Sequence, residues 1–268
     1  MSSQPKLSSE TPDSSDESSG QNPELKEMAF LEHLSELRTC LIRTAIAIFA
    51  CSVVCLIGSE ILFEALTAPL KNSFSGASLI GTGPAEAFIV KLKVAFVAGI
   101  LLSSPYSFYQ LWQFIKPGLH EHEQKFAIPF VFASTLFFLT GVAFCYFAIL
   151  PFAFQFFSSE FASLSITPTI KIGEYLSFVV KLLAVFGLSF EMPVLCFFLA
   201  RLNIVTSEFL IKNFRYAVLI ILIVAAILTP PDVDTQLLLS APLLVLYGLC
   251  IIICKKYEKT PGVTPQSN

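Results

Sequence analysis

Residues 175–200 read YLSFVVKLLAVFGLSFEMPVLCFFLA, an apolar run interrupted by only two charged side chains, Lys181 and Glu191. A helix needs about 20 consecutive apolar residues to cross the roughly 30 Å hydrocarbon core of a bilayer, and this run is longer. It therefore predicts a transmembrane helix, and a chain that contains one belongs in a membrane.

Five more apolar runs occur, three before this one and two after it. Their approximate bounds are 40–58, 94–115, 126–157, 216–228 and 237–254. All six together predict an all-α, polytopic membrane protein with six transmembrane helices. The last two runs are short and closely joined, so we expect a stubby hairpin that reaches the far face only where the bilayer is thin.

The composition agrees with a membrane protein. Hydrophobic residues make up 54% of the chain, charged residues only 14%, and the mean hydropathy is +0.72. Soluble domains carry about 25% charged residues. The net charge of −3 gives no reason to expect nucleic-acid binding.

The two ends of the chain differ from its middle. Residues 1–27 are rich in Ser, Pro, Asp and Glu and contain no apolar run, which predicts a disordered acidic tail. The tail lacks the apolar stretch of a secretory signal, so we expect it to stay in the cytoplasm. A six-span membrane domain is predicted over 28–257, and a second cytoplasmic tail over 258–268.

The distribution of Lys and Arg predicts the orientation. With the N-terminus inside, ten basic residues fall in the inner segments and four in the outer loops and their flanks. Because cytoplasmic loops are enriched in Lys and Arg, we expect a multi-pass protein of the cell (inner) membrane with both termini in the cytoplasm. Leu70 and Phe74 in the long first outer loop predict a packed, partly helical cap.

No motif for catalysis, a metal or a cofactor is visible. The seven cysteines lie in or beside apolar runs, with no CxxC pair and no Cys/His cluster at metal spacing, so we interpret them as small buried hydrophobes. No GxSxG, HExxH or Walker-type sequence occurs in a credible setting. We therefore expect no cofactor, no metal and no enzymatic activity.

Glu191 is the most informative charged residue. A carboxylate deep in a membrane span costs several kcal/mol if it is charged and faces lipid, so it must face a polar cavity, find a partner or be protonated. Pro193 should kink the helix just after it. Lys181 is ten residues away, about 15 Å of helix, and cannot pair with it. Glu191 is thus a candidate polar docking or proton-sensitive site, with a structural carboxylate as the alternative.

Two charged clusters lie on the predicted inner side. Glu36 and Arg38 belong to an amphipathic lead-in helix, and Glu121 and Glu123 belong to the loop 114–125. The pair Glu121 and Glu123 can receive a pair of guanidinium groups, which makes the loop a candidate binding site. Glu36 and Arg38 are candidates by their position at the inner interface. An ordinary solvated face is the alternative for each.

Four segments then occur in a fixed order. They are HLSELR at 33–38, the stretch 104–119 with YQLW and FIKPGL, FGLSFEMP at 186–193, and LTPPD at 228–232. Together they resemble the TatC family, the multispanning subunit of the twin-arginine protein translocase. The resemblance implies a concave, glove-like bundle whose fifth and sixth helices are short. It also implies a receptor for twin-arginine signal peptides and a core scaffold that exports folded proteins with the proton-motive force.

The resemblance further implies partners and site residues. The partners are TatA/TatB-type single-span proteins, signal peptides and other copies of the chain. Glu36 and Glu123 are expected to be buried or half-buried carboxylates that bind the two arginines. The full set implied for signal-peptide binding is Glu36, Arg38, Phe114, Glu121 and Glu123. Other implied positions are Glu191 in the membrane, Thr229 and Gln236 for subunit contact, and the prolines Pro69 and Pro105.

Three positions depart from the family pattern, and one other function stays open. Cys40 and Gln124 stand where a basic residue is common, and His120 stands where an aromatic residue is usual, so the loop is unusually acidic. The alternative function is an ion-coupled secondary transporter of small molecules, in which Glu191 titrates. Such transporters often contain two related halves, and no internal repeat is visible here.

Overall fold

The structure is a computed structural model that describes residues 23–74, 78–116, 127–165, 167–202, 204–229 and 233–257. The chain forms two compact units, residues 1–39 and residues 40–268. The predicted division into tails and a membrane domain stays a prediction, because most of both tails lies outside the described residues.

The described residues are almost entirely helical. The helices are α1 (Pro23–Ile57), α2 (Ser59–Ser73), α3 (Glu86–Ile115), α4 (Ala127–Phe144), α5 (Leu150–Ser163), α6 (Ile172–Phe190), α7 (Met192–Arg201), α8 (Ser207–Lys212), α9 (Phe214–Leu228) and α10 (Val233–Tyr257). Strands β1 (Ser78–Ile80) and β2 (Thr169–Lys171) pair in parallel, with Leu79 opposite Ile170. We call the end of the helices that carries α2, β1 and β2 the strand end.

Five helical segments are long and apolar enough to cross a membrane, which confirms a polytopic all-α protein. They are 34–57, 86–115, 128–163, 172–201 and 233–257. The shorter helix α9 has 15 residues, about 22 Å, as expected for a short fifth span. Helix α10 has 25 residues, about 37 Å, so the expectation that the sixth helix is short is wrong. It extends beyond 237–254 at both ends, through polar residues that the hydropathy of the sequence excluded from the span.

Two prolines shape the spans. Pro151 has no N–H, and a π-helical turn at Cys145–Ile149 immediately precedes it, which joins α4 to α5. Pro105 leaves the carbonyl of Leu101 without its helical donor, and the Ser104 hydroxyl donates to that carbonyl at 2.8 Å. The Leu101 carbonyl is therefore paired in spite of the proline.

The loop between the first two spans forms the helical cap that was predicted. Leu70 and Phe74 are buried, and Pro69 lies buried inside α2. Because Pro69 has no N–H, the Ala65 carbonyl loses its helical donor, and the Tyr146 hydroxyl donates to it at 2.6 Å. The Tyr175 hydroxyl donates to the next carbonyl, that of Leu66, also at 2.6 Å. The cap is thus held to the spans by side-chain to backbone hydrogen bonds.

Helices α4 and α6 pack closely through two glycines. A Cβ atom at Gly141 would lie 2.7 Å from the Phe186 carbonyl oxygen, and one at Gly187 would lie 2.8 Å from the Phe138 ring. Small residues allow this close approach of transmembrane helices. The α4–α6 contact holds the second half of α6 in place, and this part of the helix leads directly to Glu191.

Candidate functional site

Glu191 lies in a break between two helices. Helix α6 ends at Phe190, and α7 begins at Met192 with Pro193 in its first turn. The Glu191 N–H donates to the Leu188 carbonyl at 3.1 Å, and its own carbonyl accepts from Leu195 N–H at 2.9 Å. The helix is therefore interrupted at Glu191, two residues before Pro193, and the predicted kink stays a prediction.

The Glu191 side chain is buried beside Ser134. Glu191 is 6% exposed and Ser134 is 1% exposed. The carboxylate lies next to the Ser134 hydroxyl and the backbone of Phe138. Within the described part of the chain, neither Glu191 Oε1 nor Ser134 Oγ has a hydrogen-bond partner in good geometry. Because an unpaired buried polar atom costs about 1–3 kcal/mol, a hydrogen bond between these two neighbouring groups, or from either to a polar group outside the described residues, would be stabilising.

An aromatic cluster supports the neighbouring turn of α7. The Trp112 ring centroid lies 4.7 Å from that of Phe130 and 5.3 Å from that of Phe198, and Val194 packs against the same cluster. Trp112 Nε1 is buried with no hydrogen-bond partner among the described residues. These contacts join α3, α4 and α7 on the side of Glu191 away from the strand end.

The residues predicted for signal-peptide binding are placed only in part. Glu36 and Arg38 lie on α1 in the unit formed by residues 1–39, and both are exposed, so the expectation that Glu36 is buried or half-buried is wrong. Phe114 lies in the last turn of α3 and is half-buried. Glu121 and Glu123 lie outside the described residues, as do His120 and Gln124.

The two residues predicted for subunit contact are hydrogen-bonded within the chain. Thr229 is 8% exposed, and its hydroxyl donates to the Ala225 carbonyl at 2.9 Å. The Gln236 amide donates to the Leu222 carbonyl at 3.0 Å and so connects α10 to α9. The intervening residues 230–232 lie outside the described residues.

A carboxylate that the sequence analysis did not select organises the strand end. Glu86 accepts hydrogen bonds from the N–H and hydroxyl of Thr82, from Gly83 N–H at 3.3 Å and from Gly173 N–H at 3.0 Å. Gly173 belongs to the first turn of α6, so this one side chain connects the turn at Thr82–Gly83 to the start of α6. The sequence contained a signal for this role, since Glu86 is an acidic residue that follows a Gly-Pro turn at the start of a helix.

Comparisons with known proteins agree on one family. The family model for the Sec-independent protein translocase protein TatC matches residues 32–242. Proteins of that name from Desulforapulum autotrophicum and Helicobacter pylori are 43% and 40% identical to this chain. The alignments cover 86% and 85% of this chain and 85% and 88% of those proteins.

A solved structure agrees as well. The crystal structure of the twin-arginine translocase receptor TatC superposes with a TM-score of 0.79 at 36% identity, and the match covers 85% of this chain and all of that one. The apolar helices and the relatives together identify a multi-pass membrane protein that takes part in protein transport. Since both the family model and full-length relatives match most of its length, this chain belongs to the TatC family of Sec-independent protein translocase components.

Proposed function

We propose that this chain is the receptor for twin-arginine signal peptides and the core scaffold of a translocase in the cytoplasmic membrane. In this proposal it works with TatA/TatB-type single-span proteins and with other copies of itself, and the proton-motive force drives export of folded proteins. Both termini lie in the cytoplasm. The observation that carries the proposal is the buried, incompletely paired Glu191 in a chain that belongs to a translocase family.

Recognition of the signal peptide rests on acidic residues at the predicted cytoplasmic face. A carboxylate binds a planar guanidinium through two parallel hydrogen bonds, and a lysine cannot form this arrangement. We assign the two arginines to Glu36 and Glu123, with Arg38, Glu121 and Phe114 in the same patch.

The intramembrane site serves a later step in this scheme. Glu191 and Ser134 offer a buried acceptor and a buried hydroxyl that the described residues leave unpaired. A polar group of a partner helix or of the passing substrate would satisfy them, and the gain is large because little water competes there. We assign Thr229 and Gln236 to the surface that the small subunits contact, and the Gln236 amide also connects α10 to α9.

Crosslinking tests the receptor role. A twin-arginine signal peptide with a photoreactive group next to its arginines is added to membranes that contain the chain. We expect adducts with the loop 114–125 that disappear when the peptide carries two lysines instead. Glu36→Ala and Glu123→Ala should each reduce the adduct by about tenfold, the loss expected for one bidentate charge-assisted contact.

Glu208→Ala is the matched control. Glu208 is an exposed carboxylate in the first turn of α8, far along the chain from both clusters. Its replacement removes one negative charge and should leave the adduct unchanged. Adducts that persist at the wild-type level in Glu36→Ala and Glu123→Ala, with normal membrane insertion, would contradict the receptor role.

A further inference from the structure

A polar cleft of about 500 Å³ opens at the strand end, between the starts of α3 and α6. Two hydrogen bonds join its walls. Gly173 N–H donates to Glu86 at 3.0 Å, and the Lys93 ammonium donates to the Ser177 hydroxyl at 2.9 Å. The spanning segments that contain α3 and α6 both begin here, so the cleft lies where the spans meet the membrane surface.

Lys93 is the uncompensated charge of this cleft. It is half-buried, it lies seven residues or about 10 Å from the start of α3, and its hydrogen-bond partner is the neutral Ser177 hydroxyl. Among the residues that the structure describes, no carboxylate pairs with it. A charged lysine inside a membrane span is costly, and such residues are normally paired. The Lys93 ammonium therefore favours an anion that enters the cleft from outside.

The other charged side chains that line the cleft have partners within the chain. The Glu86 carboxylate accepts four hydrogen bonds from the preceding loop and from α6. The Glu174 carboxylate lies 3.4 Å from the Lys171 ammonium. Both negative charges are thus compensated and oppose an incoming anion only weakly. Because an ammonium has three donors, Lys171 can also donate to an anion in the cleft.

Lys93 also lines a second cavity, an apolar groove of about 370 Å³ between α1 and α3. Phe49 and Val53 of α1 and Leu92 and Phe96 of α3 form its walls, and all four side chains are exposed. From Lys93 the groove extends along both helices, away from the strand end. The lysine therefore lies at the junction of a polar cleft and an apolar groove.

We propose that the cleft and the groove together bind one phospholipid, with its phosphate at Lys93 and an acyl chain in the groove. A phosphate is a charged acceptor that forms strong hydrogen bonds with ammonium groups, and Lys171 supplies a second donor. A free phosphate would leave the groove empty, and an uncharged lipid would leave Lys93 without an anion. A phospholipid fits both cavities, since its phosphate stands between a polar head group and apolar chains. This site does not depend on signal-peptide recognition.

Photolabelling with a lipid tests this proposal. The full chain is purified in a maltoside detergent, which has no phosphate, and is titrated with a phosphatidylglycerol that carries a diazirine on one acyl chain. We expect adducts within residues 49–56 and 92–96, mapped by mass spectrometry. Unlabelled phosphatidylglycerol should displace the label, whereas diacylglycerol and inorganic phosphate at the same concentration should not.

Substitution of Lys93 tests the recognition of the phosphate. Lys93→Met should reduce the adduct by about tenfold, the loss expected for one charge-assisted hydrogen bond, and Lys93→Arg should preserve it. Lys91→Met is the matched control. Lys91 lies two residues away on the same helix, pairs with Glu60 at 2.9 Å and lines neither cavity, so its replacement should leave the adduct unchanged.

A second pair of variants tests the groove. Val53→Trp fills part of the groove with an indole ring and should reduce the adduct severalfold. Val54→Trp is its control, because Val54 is exposed on the same helix but does not line the groove. Both variants keep Lys93, so this pair tests the proposal even where Lys93→Met fails to fold.

Three results would overturn the proposal. Adducts spread evenly over the exposed spans, or adducts at the same level in Lys93→Met and Val53→Trp as in the original chain, would mean that lipid contacts the spans without a specific site. Equal displacement of the label by diacylglycerol would mean that the phosphate is not recognised. Displacement by inorganic phosphate would mean that the cleft binds a free ion and not a lipid.

Discussion

Glu86 and Glu191 are both carboxylates at helix boundaries, but their surroundings are opposite. Glu86 lies at the strand end and accepts four hydrogen bonds from three residues. Glu191 lies inside a span, is buried, and has an oxygen without a partner among the described residues. The comparison indicates that a carboxylate whose oxygens are hydrogen-bonded within the chain stabilises the fold, whereas a carboxylate with an unpaired oxygen is available to a ligand.

The largest effect is expected at Glu191. Glu191→Leu removes a buried acceptor and adds apolar volume, so the stability in detergent should be unchanged or higher. Export of a folded substrate should fall by about tenfold or more, because the polar contact for the partner is lost. Thermal melting and an export assay measure the two properties. A large loss of stability would mean that Glu191 is structural like Glu86, and the comparison would fail.

The next effect concerns the packing that places Glu191. Gly141→Ala puts a methyl group 2.7 Å from the Phe186 carbonyl oxygen, which belongs to the backbone and cannot move aside. We expect a loss of roughly 1–3 kcal/mol of stability from this overpacking. Denaturation in mild detergent measures it.

Gly248→Ala is the control for this substitution. A Cβ at Gly248 has no atom within 4 Å, so alanine should be neutral or slightly stabilising in α10. Equal effects of the two substitutions would show that α4 and α6 are not closely packed.

A smaller effect is expected at Glu86. Glu86→Ala leaves Gly83 and Gly173 without their acceptor, so proteolysis within residues 78–86 should accelerate and the melting temperature should fall. Glu86→Gln keeps an acceptor oxygen, so its melting temperature should lie between those of the alanine variant and the original chain.

Glu174→Ala is the control. It removes an exposed carboxylate 3.4 Å from Lys171 and should have little effect on the melting temperature. If Glu86→Ala and Glu174→Ala change the proteolysis rate and the melting temperature equally, Glu86 does not have the structural role assigned to it.

The smallest effect is a pH dependence at the strand end. The hydrogen bond and charge of Lys91 lower the pKa of the Glu60 carboxyl below its ordinary value. A lowered folded-state pKa means that the pair stabilises the fold above the ordinary pKa, and that this contribution disappears as the pH falls through the folded pKa. Melting temperatures of Glu60→Gln and the original chain should differ slightly at neutral pH and converge in acid. A difference that persists in acid would contradict this assignment.

The sequence predicted the spans because hydropathy and proline positions act locally. The apolar run 175–200 and the cap residues Leu70 and Phe74 each carried their own signal, and the structure confirms them. The ends of α10 were not predictable, since a helix continues through polar residues when neighbouring helices pack against it. The roles of Glu121 and Glu123 remain predictions.

The contacts of the candidate site were less visible in the sequence. Ser134 stands in an apolar run like many other serines, and only the packing of α4 against α6 brings it beside Glu191. The Glu86 network depends on the N–H of Gly173, 87 residues away, and a backbone donor leaves no trace in the residue type. Long-range pairing with backbone groups therefore requires the fold.

The proline in the cap has a consequence for biogenesis. Pro69 leaves the Ala65 carbonyl without a backbone donor, and the hydroxyl that donates to it belongs to Tyr146, which is 81 residues further along the chain. Tyr175, which donates to the Leu66 carbonyl, is 109 residues beyond Leu66. While the protein is being synthesised, α2 emerges long before either tyrosine exists. Docking of the cap is thereby a late event that reports whether the third and fourth spans have been inserted.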